Sequence, residues 1–190
     1  ERFTQVSQSQ SSTIKILLAG TFSPAYDIIL MNDIIAKLRE SRMVWVTVAA
    51  SVGTTDAWEI LDYDEFVSLQ HSEMPNLIAK SDLGLSIWKN DLGICLTSVA
   101  STKAAEFLAC GRPIFVNSLQ GDFGSLVKAN SAGVVTVGSS SDEVEDYVSQ
   151  ILNLLADPDL GRRCRALAET SFNLNNGVAR LLEIYSTFEK

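Results

Sequence analysis

Ser101-Thr102-Lys103-Ala104-Ala105-Glu106-Phe107-Leu108-Ala109-Cys110-Gly111-Arg112-Pro113 decides how the rest of this 190-residue chain is read. The stretch has the marks of a helix with both ends signalled. Ser101 or Thr102 offers a side-chain oxygen to an unpaired N–H of the first turn. Gly111 stands where a left-handed stop residue belongs, and Pro113 prevents continuation. Ala105, Leu108 and Ala109 form an apolar stripe. Thr102, Lys103 and Glu106 share another face, because residues three and four apart are helical neighbours. A hydroxyl, an ammonium and a carboxylate thus gather at an end carrying partial positive charge and unpaired N–H groups, which suits a phosphate. Taken alone, the stretch is more simply an amphipathic helix with a surface Lys–Glu pair. Its neighbours decide between the two readings.

Upstream, residues 1–13 are polar and Ser/Gln-rich, as expected of a linker or mobile terminus, and the domain proper spans 14–190. Ile14–Ala19 is an apolar run ending at Gly20, which predicts a buried strand. The loop Gly20–Tyr26 leads to a helix opened by Pro24 or Asp27, with Ile28, Ile29, Met31, Ile34, Ile35 and Leu38 on its apolar face. Met43–Ala50 predicts a second strand and Phe66–Leu69 a third, while residues 54–62 between them are ambiguous and admit a short helix at Trp58–Leu61. A helix at Pro75–Lys80, capped by Ser72 or Glu73, precedes a fourth strand at Asp82–Ile87. The long connection Trp88–Ala100 then enters the Ser101 helix. Downstream, Pro113–Val116 and Gly133–Val137 predict strands five and six around a short helix near Ser125–Asn130. Ser141 or Asp142 caps a helix to about Ala156, Asp157-Pro158 breaks it, and two more helices follow, to about Phe172 and from Asn175 to Glu189.

Strands and helices alternate, and the strands are continuous apolar runs. Both features predict an α/β, Rossmann-like, doubly wound and mainly parallel six-stranded sheet, with helices on both faces and extra C-terminal helices. Ligands of such sheets bind beyond the carboxyl ends of the strands. That edge gathers Gly20–Ala25, Gly53, Trp88–Ala100, Ser101–Glu106 and Gly121–Gly124.

Several functions are disfavoured. A formal charge of −8 opposes nucleic acid as the main partner. No G-x-G-x-x-G follows the first strand and no G-K-[ST] occurs, so dinucleotide and P-loop chemistry lose ground. A G-x-S-x-G elbow is absent too. Cys95, Cys110 and Cys164 lack metal-ligand spacing, so no metal is expected and free thiols in a cytoplasmic setting are the default. His71 is the single histidine and receives no role. No apolar run reaches membrane-spanning length. Glu1 opens no signal peptide, and a chain starting there is expected to be a piece of something longer.

The ordered segments resemble the C-terminal, donor-binding domain of GT-B fold glycosyltransferases of the large family-4 ("group 1") type. Glu1-Arg2-Phe3-Thr4 is similar to the end of that family's N-terminal domain. Ile14–Gly20 with Thr21–Asp27 resembles its first strand and donor-facing loop. Met74–Leu85 resembles its segment of proline, small helix and aspartate-led strand. Thr102–Ile114 is the most specific match. Phe115–Val137, Asp157-Pro158 and Leu181–Tyr185 are similar to the segments that follow. The resemblance implies that Glu106 accepts hydrogen bonds from ribose hydroxyls. It places Thr102, Lys103, Ser101 and helix N–H groups near a diphosphate, with Gly20, Thr21, Gly121 and Asp122 lining the donor cleft and Val67–Met74 bordering the base.

Two departures stand out. Better-known members carry a second glutamate eight positions before the first, where this chain has Ser98; Asp91 is the alternative carboxylate in the longer connection. The first loop carries no Arg or Lys, which leaves the diphosphate charge to Lys103, with Arg112 or Lys89 as helpers. The expected function is donor binding within a glycosyltransferase that moves a sugar from a nucleoside-diphosphate sugar to an acceptor hydroxyl in glycan biosynthesis. No cofactor or metal is expected, and the partner is a missing N-terminal acceptor-binding domain, without which the chain is expected to be inactive. The expected location is cytoplasmic, or peripheral to a membrane through that domain. The alternatives are a non-catalytic GT-B-like scaffold and a nucleotide-sugar epimerase.

Overall fold

The chain's architecture follows from a pleat that sends neighbouring apolar residues to opposite faces. The computed structural model describes residues 12–21, 23–51, 58–93, 97, 101–118 and 121–188. Gly53, Cys95 and Ser98 lie outside them, as do residues 1–11. Six strands are formed: β1 (Thr13–Ala19), β2 (Met43–Ala49), β3 (Glu65–Val67), β4 (Leu83–Ser86), β5 (Ile114–Asn117) and β6 (Gly133–Thr136). All their pairings are parallel, in the order β3-β2-β1-β4-β5-β6. The chain winds outward from β1 to β3, then returns to place β4 on the other side of β1. That reversal opens a crevice at the carboxyl ends of β1 and β4.

In β1, Ile16 and Leu18 face one core, while Leu17 faces the other. The first core is closed by helices α1 (Ile28–Arg39) and, late in the chain, Ser141–Leu155. The second is closed by α2 (Met74–Lys80), α3 (Thr102–Ala109), α4 (Phe123–Ala129) and Leu160–Ser171. Numbering on, Ser141–Leu155 is α5, Leu160–Ser171 is α6 and Leu174–Ser186 is α7. The doubly wound sheet expected from the sequence is therefore the one observed.

Local readings needed correction at four places. Asp27 caps α1, its Oδ1 accepting from Leu30 N at 3.1 Å, but Ile29 is 76% exposed and Leu30 is buried in its place. The cap of α5 is Ser140, not Ser141 or Asp142; Ser140 and Glu143 form a reciprocal capping box. Strand β3 ends at Val67, so Ser68 and Leu69 belong to the following loop. In α3 the fully buried stripe is Ala104, Phe107 and Leu108, with Ala105 and Ala109 only partly covered.

The end of α3 behaves as its sequence predicts. Gly111 adopts φ +73°, its N–H donates to Leu108 O, and Arg112 N–H donates to Phe107 O. This is the paired closure of a Schellman motif. Gly84 lets Phe107 sit directly on β4, since a Cβ there would lie 2.7 Å from the Phe107 ring. Helix α6 fastens α3 from outside, with Arg165 Nη1 donating to Ala109 O at 2.6 Å.

Candidate functional site: a cleft at the carboxyl ends of β1 and β2

Three of the residues singled out from sequence meet in space. Gly20 and Thr21, just beyond β1, and Lys103, in the first turn of α3, line one cavity of about 210 Å³. Gly20 holds φ +140°, a conformation that side-chain-bearing L residues rarely adopt. The Lys103 side chain lies across it: a Cβ at Gly20 would stand 2.8 Å from Lys103 Cε. The aliphatic arm thus passes over the end of β1, while the side chain as a whole stays exposed. Beyond it, Ser51 follows β2, while Leu69, His71 and Met74 come from the loop after β3 and the start of α2. The cavity joins a cation, small polar groups, a helix N-terminus and an apolar wall, at the edge where this topology opens. Such a combination accepts an anionic group beside a flat or apolar one.

The remaining expected site residues are arranged differently. Ser101 is the cap of α3, its Oγ accepting from Ala104 N at 3.2 Å, so that oxygen already has a structural task. Thr102 is exposed and Glu106 is half-buried on the same helix, and neither lines this cavity. Gly121 (φ +50°) and the exposed Asp122 precede α4 and also lie outside the lining. Lys89 and Asp91 are exposed, at the 3₁₀ turn after β4.

Arg112 cannot serve as a phosphate helper. It is 2% exposed, and its Nη2 donates to Ala79 O at the end of α2. Burial lowers its pKa, against the opposing pull of Asp82, whose own carboxyl is raised by burial. Arg112 is a tie between α2 and the α3–β5 junction. Cys110 and Cys164 are buried, which pushes their thiols up to about 11 and about 12 and keeps them unreactive. Among the described residues, no group of three or more His, Cys, Asp or Glu could hold a metal ion, and no helix is long and apolar enough to cross a membrane.

His71, within the stretch Val67–Met74 expected to border the base but given no role of its own, lines the cavity. The sequence reading missed one contributor. Asn117, at the end of β5 and 1% exposed, holds the loop after β4. Its Oδ1 accepts from Trp88 N at 2.6 Å and its Nδ2 donates to Trp88 O at 2.7 Å. An Asn closing an apolar strand is the only hint the sequence offers.

Solved structures with this arrangement are numerous. Sucrose-phosphate synthase from Thermosynechococcus elongatus is 15% identical with a TM-score of 0.68, covering 98% of this chain and 50% of that one. The C-terminal domain of a glycosyl transferase group 1 family protein from Francisella tularensis is 14% identical with a TM-score of 0.60, covering 85% of this chain and 87% of that one. The chain has the fold of these domains, the Rossmann-like half of a GT-B fold. HepE from Anabaena, in complex with UDP, is similar in fold, at 17% identity and a TM-score of 0.67, covering 93% of this chain and 49% of that one. The chain therefore spans about half the length of two of these three structures, and most of the isolated C-terminal domain. No model of a known protein family matches the sequence, nor does any curated protein.

Proposed function

We propose that this chain is the donor-binding half of a glycosyltransferase that moves a sugar from a nucleoside-diphosphate sugar to an acceptor hydroxyl. The observation carrying this reading is Lys103. It lies at the N-terminal turn of α3, folded over Gly20, in the cavity at the carboxyl ends of β1 and β2. An ammonium and helix N–H groups stabilise the charge that develops on a departing diphosphate. The apolar wall of Leu69 and Met74 suits a base, and Glu106, three residues on from Lys103, is the acceptor-only group for a ribose diol. Catalysis in this reading rests on positioning and charge stabilisation. The acceptor site belongs to polypeptide beyond this chain, in keeping with the half-length match to whole enzymes.

Ser98, in place of a sugar-contacting glutamate, favours a second reading, a binding module without catalysis. An epimerase needs acid–base groups, and among the described residues the lining of this cavity offers His71 with no carboxylate beside it.

Calorimetric titration with ADP, GDP, UDP and their sugar conjugates tests the donor-site reading. At least one is expected to bind. Lys103→Ala is expected to weaken it by roughly ten- to a hundredfold, as loss of a hydrogen bond to a charged group would. Glu106→Ala is expected to weaken it too. Failure of every nucleotide to bind would favour the non-catalytic module.

A further inference from the structure

The Gly20 corner of the cavity holds a second polar group, from the loop that resembles the family's donor-facing one but not among the residues singled out there. Tyr26 Oη lies 3.7 Å from the position a Gly20 Cβ would occupy, the same position that Lys103 Cε approaches to 2.8 Å. The hydroxyl and the lysine arm therefore flank one point at the end of β1. Tyr26 does not line the cavity, but its hydroxyl stands at the corner made by Gly20 and Lys103, both of which do. Tyr26 is half-buried, and its hydroxyl, which solvent still reaches, makes no hydrogen bond to any described residue. A hydroxyl at the rim of a cavity with no internal partner is placed to donate to a ligand.

The ring packs against two others. Its centroid lies 4.7 Å from that of Trp88 and 5.7 Å from that of Trp58. Tyr26 and Trp88 also form an isolated antiparallel bridge, with Lys89 N–H donating to Ala25 O at 2.8 Å and Asp27 N–H donating to Ile87 O at 3.0 Å. Asn117 clamps Trp88 from β5 through both backbone groups. The loop after β1 and the loop after β4 are thereby fixed to one another. The Tyr26 hydroxyl is delivered to Gly20 by a buttress of aromatic rings.

We propose that Tyr26 is a ligand-binding residue of this site, its hydroxyl donating a hydrogen bond to a phosphate oxygen of the nucleoside diphosphate beside the Lys103 ammonium. The inference rests on the donor-site reading and deepens it. In a first loop without Arg or Lys, a neutral phenol supplies the donor that accompanies Lys103. Burial raises the Tyr26 pKa, so the group keeps its proton and donates throughout the neutral range.

Tyr26→Phe tests this, because it removes the hydroxyl and keeps the ring between Trp58 and Trp88. Wild type, Tyr26→Phe and Lys103→Ala are titrated calorimetrically with ADP, GDP and UDP, and with the matching nucleosides, alongside thermal melts. For the diphosphate that wild type binds, Tyr26→Phe is expected to weaken affinity roughly ten- to a hundredfold. Its melting temperature and its affinity for the nucleoside should match wild type. Affinity for the diphosphate within twofold of wild type, while Lys103→Ala loses it, would overturn the Tyr26 assignment and leave the donor site standing. Equal losses for diphosphate and nucleoside would also overturn it, since the hydroxyl would then act through shape. If wild type binds no diphosphate, the donor-site reading fails and the Tyr26 assignment fails with it.

Discussion

A methyl group at Gly20 would meet Lys103 Cε at 2.8 Å and Cδ at 3.2 Å, on a backbone whose φ of +140° already disfavours it. Gly20→Ala is therefore expected to cost about 1–3 kcal/mol, and to push the lysine arm off the end of β1. Denaturant unfolding measures the first effect and nucleotide titration the second. Gly84→Ala acts by packing alone: its Cβ would stand 2.7 Å from the Phe107 ring and 2.8 Å from Ile114 Cδ1. A destabilisation of about 1–3 kcal/mol is expected from such overpacking, again read by denaturant unfolding. Lys103 and Gly20 were legible in the sequence because each sits at a recognisable joint, a helix start and a strand end. Arg112 was expected as a phosphate helper, yet it is buried and donates to Ala79 O at the end of α2.

Among the elements, α5 and the β4–α3 connection carry the clearest consequences. In α5, the Glu143 carboxyl accepts from the Ser140 hydroxyl and from the Ser140 N–H, which hold its pKa below the ordinary glutamate value. The folded value lies below the unfolded one. Its contribution is therefore present above the unfolded pKa and is lost as pH falls through the folded value. Ser140→Ala is expected to lower stability at neutral pH, with the gap to wild type shrinking in acid; denaturant unfolding at a series of pH values checks this. In the β4–α3 connection, Asn117→Ala leaves the Trp88 N–H and C=O without their partner, at an expected cost of about 1–3 kcal/mol. Hydrogen exchange should accelerate first at Trp88 and Lys89, with α1 and α5 unaffected; uniform acceleration would show that Asn117 supports the whole fold. The strands and helices themselves were readable, because continuous apolar runs and 3.6-residue stripes report burial directly. Their ends were less so. Ser140, Ser141 and Asp142 are all competent caps, and only the geometry of the turn after β6 selects among them.

Over the whole molecule, the two cores are complete without α7. None of its residues is buried, and Leu174, Val178, Leu181, Leu182 and Tyr185 are all exposed. Removal of residues 174–190 is expected to shift the melting temperature by no more than about 2 °C, because no packed side chain is lost. A larger fall in a thermal melt would show that α7 packs against the domain in solution. The same sheet gathers residues distant in the chain: Gly20, Ser51, His71 and Lys103 share one cavity only because β1, β2 and β3 run parallel and end at one edge.

By itself the sequence determined that α3 exists, where it starts and stops, that the sheet is parallel and that Gly20 and Lys103 lie at the carboxyl ends of its strands. Those are consequences of local signals: caps, glycines, and the spacing of apolar residues along one chain. Only the tertiary structure decided which members of α3 face the cavity, that Arg112 is interior, and that the Tyr26 hydroxyl stands at the Gly20 corner. Each of these depends on which distant segment lies opposite. That is set by strand order and by the packing of Phe107 over Gly84 and of Trp88 against Tyr26, none of which is written in the residues around Lys103.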